Sequence, residues 1–274
     1  MTYQIKSTHP LGELIHQVKD GEGLVSVYQR KKHRFLTFGN AVEQSCINLN
    51  APHQLEHIYT QAMMLSLLFC ADIRNGLLLG LGGGSLARAL QHARPRIKIH
   101  AVEYRQTVID AAQRFFELQT SQYLQLHCAE ATAFIRSDTH HYDLIFADLY
   151  LADGAHNAQK DQSFFADCRQ RLSKNGLLLT NLWCSEFQDS QIAQKALKSA
   201  FGENVLYLHV QGGNVIAFAF NHELPNLKRN GFYDNAQELG NKLGIPLQRL
   251  ARNFWRQNSE PLQIGRFAQK YSVS

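Results

Sequence analysis

Three acidic side chains stand where three successive apolar runs of the chain end. Glu103 closes IHAVE, Glu130 closes LHCAE and Asp148 closes LIFAD. An earlier apolar run ends in GLGGG at residues 80–84. Glycines let a ligand approach the backbone closely, and the helix that follows such a loop offers free N–H groups. The glycines, Glu103 and Glu130 together favour a nucleoside ligand, with Glu103 placed to accept hydrogen bonds from two ribose hydroxyls and Glu130 placed near an adenine amine.

A parallel sheet is needed to bring these residues together. Apolar runs predict strands at 76–80, 97–103, 123–128, 143–147 and 176–182. Helical patterns lie between and after them, near 84–93, 105–117, 130–136, 160–173 and 188–200. Strands that alternate with helices indicate a doubly wound α/β fold, in which the carboxyl ends of the strands share one edge. We therefore expect the glycines and the acids to lie close together.

The rest of the chain predicts additions to this unit. Short alternating runs at 23–29, 33–39 and 42–48 indicate a small antiparallel β element, and a helix is expected near 55–71. The runs 205–210 and 215–220, joined by QGGN, predict a hairpin that gives the sheet one reversed strand at its end. The domains are expected at 1–55, a small β-hairpin domain, at 56–222, a Rossmann-like catalytic domain, and at 223–274, a basic helical extension that includes a helix near 247–255.

Two other interpretations of the glycine run were weighed. A dinucleotide fingerprint, G-x-G-x-x-G, requires a third glycine where the chain has Ser85. Sheets that bind NAD also do not usually end in a reversed hairpin. In the second interpretation, the glycines only permit tight packing between strand and helix, and Glu103 and Glu130 are solvated. The closing hairpin instead fits the S-adenosylmethionine (SAM) version of the fold.

Composition excludes several classes. The 274 residues are 45% hydrophobic and 19% charged, as in an ordinary globular protein, with no apolar run long enough to span a membrane and no signal peptide at the N-terminus. Five scattered cysteines without a C-x-x-C motif indicate reduced thiols in the cytoplasm, and neither they nor the thirteen histidines have the spacing of a metal site. Residues 226–274 hold eight Lys and Arg against three Asp and Glu, which accounts for the net charge of +5. We expect a docking or dimer-forming helix there, and not a nucleic-acid site.

Five segments in order resemble the motifs of the spermidine synthase family. They are LLLGLGGGSLARAL, IHAVEYRQTVIDAAQRFF, LHCAEATAFI, YDLIFADLY and LSKNGLLLTNLW. The likeness extends over about residues 24–222. It implies a Rossmann-like class I SAM-dependent methyltransferase fold, a mostly parallel seven-stranded sheet ending in an antiparallel hairpin, behind a small N-terminal β element.

The resemblance also implies roles for individual residues. Asp148 would orient and deprotonate the reacting amine, with Tyr59 beside it, so these two are the expected catalytic residues. Gln44 falls where the family has a glutamine that contacts the nucleoside. The cofactor-binding set implied by the motifs is Gln44, Gly80, Gly82, Gly83, Gly84, Ser85, Glu103, Tyr104, Ala129, Glu130 and Asp148, and no metal is expected.

Two departures from the family concern the choice of substrates. Polyamine synthases typically carry G-G-G-D-G, in which the aspartate meets the amine of decarboxylated SAM, and this chain has Gly83 at that position. They also carry D-x-x-D after the fourth strand. Here Asp148 is followed by Leu151 at the second acidic position, with Asp153 two residues late. The GLGGGSL motif and the NL pair at 181–182 are similar to the corresponding motifs in spermidine-synthase-like domains of some protein amine methyltransferases.

These features lead to three hypotheses. The main one is a SAM-dependent transferase that methylates an amine, either a small molecule or a protein. The alternative is a polyamine aminopropyltransferase, a spermidine synthase that uses decarboxylated SAM and putrescine. The third is a protein that binds the nucleoside without catalysis. Family analogy implies a homodimer, and neither a membrane nor a nucleic-acid partner is expected. Because Gly83 carries no charge, SAM is expected to bind at least as tightly as its decarboxylated form.

Overall fold

A computed structural model describes residues 9–40, 42–70, 72–151, 154–155, 157–182 and 187–262. The chain begins with a four-stranded antiparallel sheet in the order β1-β2-β3-β4. Its strands are β1 (Glu13–Asp20), β2 (Gly23–Arg30), β3 (His33–Thr37) and β4 (Glu43–Asn48). The predicted β element is therefore present and is one strand larger. The sequence did not single out β1 because its edge-strand side chains are only partly buried and show no clear alternation.

The second unit alternates strands and helices as predicted. Its strands are β5 (Asn75–Leu79), β6 (Lys98–Glu103), β7 (Leu124–Cys128), β8 (Tyr142–Ala147), the short β9 (Tyr150–Leu151) and β10 (Gly154–Ala155), β11 (Leu172–Asn181), β12 (Val205–His209) and β13 (Val215–Phe220). Its helices are α1 (Ile58–Met63), α2 (Ser85–Ala93), α3 (Gln106–Phe115), α4 (Ala131–Ser137), α5 (Gln162–Arg171) and α6 (Phe187–Phe201). β9 and β10 pair with each other, apart from the main sheet.

The main sheet has seven strands in the order β12-β13-β11-β8-β5-β6-β7. β13 runs antiparallel to both of its neighbours, while β11, β8, β5, β6 and β7 are parallel. The Rossmann-like prediction and its single reversed strand are confirmed. The reversed strand is second from the edge and not at it, because the hairpin returns β12 to the outside.

Helix α1 is shorter than the helix predicted near residues 55–71. It continues after Met63 as a 3₁₀ helix over Met64–Leu68. Residues 62–67 are all buried, so this segment has no polar face from which the type of helix could be predicted. A tighter turn packs such a segment between the sheet and neighbouring helices.

Two C-terminal helices follow the last strand of the sheet, α7 (Arg229–Leu243) and α8 (Leu247–Gln257). The sequence indicated only α8, whose buried face is Leu247, Leu250, Ala251, Phe254 and Trp255. The rings of Phe69, Phe218 and Phe254 pack together beneath it, with centroids 5.0–5.8 Å apart. The C-terminal segment therefore shares the central core, and the proposed domain boundary at 223 stays a prediction. Within the described part of the chain, no helix has the length and apolar character needed to cross a membrane.

Candidate active site

A cavity of about 710 Å³ lies where the N-terminal sheet meets the carboxyl ends of the main strands. This volume is in the range of small-molecule sites, about 300–1,000 Å³. Its wall includes Glu22 and Phe38 from the N-terminal sheet, and it includes ten of the residues expected from the sequence. Those ten are Gln44, Tyr59, Gly80, Gly82, Ser85, Glu103, Tyr104, Ala129, Glu130 and Asp148.

Strand order explains why distant residues meet there. Asn181 ends β11, Asp148 follows β8, the glycine loop follows β5, Glu103 ends β6 and Glu130 comes two residues after β7. These five strands are neighbours in the sheet. Adjacent strands are ~4.8 Å apart, so Asp148 and Glu130 are separated by roughly 14 Å across three strand spacings. The site is therefore elongated, with Asp148 near one end and Glu130 near the other.

Glu103 is the acid closest to the glycine loop. Its Oε2 accepts hydrogen bonds from the backbone N–H groups of Leu81 and Gly82, both at 3.3 Å, and its Oε1 accepts one from Arg105 N at 3.1 Å. Burial raises the pKa of Glu103, while these hydrogen bonds act in the opposite direction. The carboxylate is thus held at the cavity wall, where it fits the predicted contact with ribose hydroxyls.

Glu130 caps helix α4 while it lines the cavity. Its carboxylate accepts hydrogen bonds from Thr132 N at 2.9 Å and Ala133 N at 2.7 Å. This is the usual arrangement of an acidic N-cap, which stabilises the first turn of a helix. The predicted contact with an adenine amine stays a prediction, since the same carboxylate already has a structural role.

The backbone N–H groups of the glycine loop already donate hydrogen bonds within the protein. In addition to the bonds from Leu81 and Gly82 to Glu103, Gly83 N donates to Ser45 Oγ at 2.8 Å and Gly84 N donates to Leu81 O at 2.9 Å. The free N–H groups expected next to this loop are therefore not provided by residues 81–84, whose N–H groups already have partners within the protein. Gly80 is required for another reason, because at its φ of 94° a β-carbon would lie 2.2 Å from the carbonyl oxygen of Asp148.

Gly83 and Gly84 are the two predicted site residues that do not reach the cavity wall, and both are buried behind the loop. A β-carbon at Gly83 would lie 2.9 Å from Phe116 Cδ1 and 3.0 Å from Ser45 Cβ. The Phe116 ring is fully buried. An aspartate at 83 would therefore collide with Phe116 before it could act on a donor, which corrects the simple one-residue comparison with the family.

Asp148 and Tyr59 are in direct contact. The Tyr59 hydroxyl donates a hydrogen bond to Asp148, and Asn181 Nδ2 donates another to Asp148 Oδ1 at 3.2 Å. Burial raises the pKa of Asp148 to about 6, against the lowering effect of these bonds and of His57. Burial and the nearby Asp148 charge hold the pKa of Tyr59 well above its usual value. Asp148 can therefore accept a proton near neutral pH, whereas Tyr59 remains a donor.

Several residues of this site were missed by the sequence analysis. His57 lines the cavity beside Tyr59, and Ser45 joins the N-terminal sheet to the glycine loop. Arg105 makes a two-point ion pair with Asp20, at 3.0 and 2.8 Å, which fixes the N-terminal sheet beside Glu103. Asn181 ends β11 and could have been found by the strand-end argument that identified Glu103 and Glu130. Apart from Gln44, which the family resemblance implied, the contacts made by the N-terminal sheet had no signal in the sequence.

Asp153 lies outside the described residues, and for Leu151 only the backbone is described, in β9. Among the described residues, no group of three or more His, Cys, Asp or Glu side chains has an arrangement suited to a metal ion.

The chain is similar to known proteins in sequence and in fold. A methyltransferase-domain family model matches residues 77–180. The polyamine aminopropyltransferase of Neisseria meningitidis serogroup A is 30% identical over 245 residues, which cover 88% of this chain and 92% of that protein. The eEF1A lysine and N-terminal methyltransferase of Mus musculus is 29% identical over 184 residues, 63% of this chain and 26% of that protein. The spermidine synthase structure from Thermotoga maritima superposes with a TM-score of 0.68 at 11% identity, covering 92% of this chain and 88% of that one.

The sheet topology and these matches define the class, a SAM-dependent transferase of Rossmann-like fold. The chain is an enzyme of that class. It belongs to the spermidine-synthase-like family, as the similarity along nearly its whole length to a polyamine aminopropyltransferase shows.

Proposed function

We propose that the protein transfers an aminopropyl group from decarboxylated SAM to a diamine. The observation that carries this proposal is the charge of the cavity. Among the described residues, four carboxylates line it, those of Glu22, Glu103, Glu130 and Asp148, and its one guanidinium, Arg105, is paired with Asp20. Such a wall favours cations, and both the decarboxylated donor and a diamine are cationic.

The hydrogen bonds of the glycine loop support the same donor. The carboxylate of ordinary SAM would need donors of its own in this acidic cavity. The N–H groups of residues 81–84 are already bonded to Glu103, Ser45 and Leu81. This argument, together with the relatives named polyamine aminopropyltransferase, favours the alternative of the sequence analysis over its main hypothesis.

The proposed reaction is a displacement at carbon. The neutral nitrogen of the acceptor attacks the propyl carbon bound to the sulfonium, a C–N bond forms, and the C–S bond breaks with its electron pair left on sulfur. Methylthioadenosine departs, and the extra proton on nitrogen passes to Asp148, whose pKa of about 6 suits it as the acceptor. Tyr59 and Asn181 would hold that carboxylate in place, and positioning would supply much of the rate.

Methyl transfer to an amine is the second candidate, and Gly83 favours it. No acid stands at that position, and Phe116 fills the space into which one would project. The repulsion that an acid would exert on the carboxylate of SAM is therefore absent from this part of the site. The partial similarity to the eEF1A lysine and N-terminal methyltransferase points the same way.

Product analysis separates the two reactions. The purified protein is incubated with decarboxylated SAM and 1,4-diaminobutane, or with SAM and the same amine, and products are identified by mass spectrometry. We expect spermidine and methylthioadenosine from the first mixture, and no S-adenosylhomocysteine from the second. The Asp148→Asn variant should lose at least ~100-fold in turnover and keep its affinity for methylthioadenosine within threefold. S-adenosylhomocysteine as the product would establish methyl transfer instead.

Calorimetric titration with SAM, decarboxylated SAM and methylthioadenosine tests the donor without turnover. Tighter binding of the decarboxylated form is expected, which reverses the preference inferred from Gly83 alone. The homodimer and the cytoplasmic location implied by the sequence stay predictions, to be checked by light scattering and by cell fractionation.

A further inference from the structure

A second carboxylate lies beside the Asp148 end of the cavity. Glu43 Oε1 is 2.7 Å from His57 Nε2, and His57 lines the cavity next to Tyr59. The two side chains are 28% and 25% exposed, so the pair is only partly open to water. Neither residue was expected at the site from the sequence.

The fold holds this pair against the reacting end of the site. Glu43 opens β4, next to Gln44 in the cavity wall, and His57 is the extended residue that precedes α1. The rings of His57 and Tyr59 stack with centroids 5.6 Å apart, and the Tyr59 hydroxyl bonds to Asp148. One tyrosine is thus flanked by Asp148 on one side and by the Glu43–His57 pair on the other.

The electrostatics connect the three groups. The charges of both Asp148 and Glu43 add to the burial that raises the pKa of Tyr59. An imidazole that donates one N–H to a carboxylate and has no proton on its other nitrogen leaves the carboxylate charge in place and offers the second nitrogen as an acceptor. The pair can then receive an ammonium group, which carries one positive charge and three donors.

A diamine needs two different partners in such a site. The nitrogen that reacts must lose a proton, and Asp148 serves that nitrogen. The other nitrogen stays an ammonium ion, which needs a carboxylate when it leaves water. We propose that the Glu43–His57 pair binds this second ammonium group and so selects diamines over monoamines. This inference rests on the proposed aminopropyl transfer.

Binding of two amines of equal chain length tests the inference. The protein is saturated with methylthioadenosine and titrated at pH 8 with 1,4-diaminobutane and with 1-aminobutane. The wild-type protein should bind the diamine at least tenfold more tightly. Glu43→Gln, whose amide oxygen can still accept the His57 hydrogen bond, should lose at least tenfold in affinity for the diamine and less than threefold for the monoamine.

Glu56→Gln is the matched control. Glu56 is adjacent to His57 in sequence, and like Glu43 it is not itself part of the cavity wall, but its partner is His33, at 3.6 Å, and not His57. Removing this charge should leave both amine affinities within twofold of wild type. Thermal melting of each variant checks that its fold is retained.

Three results would overturn the inference: a wild-type protein without preference for the diamine, an equal loss for both amines in Glu43→Gln, or a loss of methylthioadenosine affinity in that variant with the amine ratio unchanged. The titration involves no turnover, so it is scored separately from the reaction. Spermidine formation with an unchanged ratio would refute only the role of Glu43. A ratio that collapses in a protein without aminopropyl transfer would refute only the proposed reaction.

Discussion

At the scale of single residues, burial raises the pKa of Asp148, which suits it to accept a proton but also lowers the stability of the folded protein when the carboxylate is ionised. Its pKa of about 6 lies above the ordinary value near 4 because the folded protein removes water from the carboxylate. A folded pKa above the unfolded one means that this group favours folding below about pH 4. That contribution is lost as pH rises through about 6, since the buried carboxylate must then ionise.

Asp148→Asn should therefore be stabilised relative to wild type at high pH, because asparagine does not ionise. The difference in the free energy of unfolding between variant and wild type should shift in the variant's favour by up to about 3 kcal/mol between pH 4 and pH 7, from two pKa units at about 1.4 kcal/mol each. Urea denaturation across this range measures it. A difference that does not vary with pH would contradict the raised pKa.

A second residue-scale prediction concerns Gly83. Gly83→Ala should destabilise the fold by about 1–3 kcal/mol, because its β-carbon would press on the buried Phe116 ring. Phe116→Leu costs stability as well, but it opens space there. The double variant should lose less stability than the sum of the two single losses, which corresponds to a coupling of at least ~0.5 kcal/mol in a double-mutant cycle. Additive losses would show that Phe116 does not limit this position.

At the scale of elements, the Asp20–Arg105 pair joins the β1–β2 turn to the start of α3. Arg105 is 9% exposed and donates two hydrogen bonds to Asp20 and one to Gly23 O. These bonds lower the pKa of Asp20 to about 2. Because the folded pKa is lowered, the stabilisation is present above about pH 4 and is lost as pH falls toward 2. The wall that the N-terminal sheet gives to the cavity depends on this pair.

Asp20→Asn should lower the free energy of unfolding by about 1.5–3 kcal/mol at pH 7, the range for hydrogen bonds to charged groups. Its deficit should shrink as pH falls from about 4 to 2, because Asp20 of the wild-type protein is protonated first in the unfolded chain and only near pH 2 in the folded state. Asp72→Asn is the control, since its pair with Arg74 is largely exposed to solvent and should contribute much less to stability. Denaturation curves at several pH values compare the two variants, and equal effects would argue against the buried ion pair.

At the scale of the whole molecule, the C-terminal helices cover one face of the sheet. Phe254 on α8 is fully buried and contacts Phe69, Phe218 and Phe232. Basic residues of α8, such as Arg252 and Arg256, are exposed on its outer side. The segment thus combines a structural inner face with a solvated outer face.

Phe254→Ala should destabilise the protein by about 3–5 kcal/mol through the cavity that it leaves. Arg256→Ala, two residues away and exposed, should change stability by less than ~0.5 kcal/mol. Neither change touches the active site, so methylthioadenosine affinity should be preserved in the folded molecules. Calorimetric melting gives both values. A mild effect of Phe254→Ala would support an appended segment that begins at 223.

The sequence by itself determined the fold class and most of the site. Glycines and acids that follow apolar runs identify the ends of parallel strands, and such ends meet at one edge of a sheet whatever the details of packing. That is why Glu103 and Glu130 were found from the chain alone, whereas Asp148 was implied by the resemblance to the family. Strand β1 and helix α7 were missed because their patterns are weak and tertiary packing decides them.

The tertiary structure decided which partners these residues have. Three contacts join different elements of the chain. They are the pairing of Glu43 with His57, the hydrogen bond from Gly83 to Ser45 and the contact of Gly83 with Phe116. No local spacing encodes them, because they depend on how the N-terminal sheet docks against the strand ends. The raised pKa of Asp148 has the same origin, since burial is a property of the packed molecule and not of the motif.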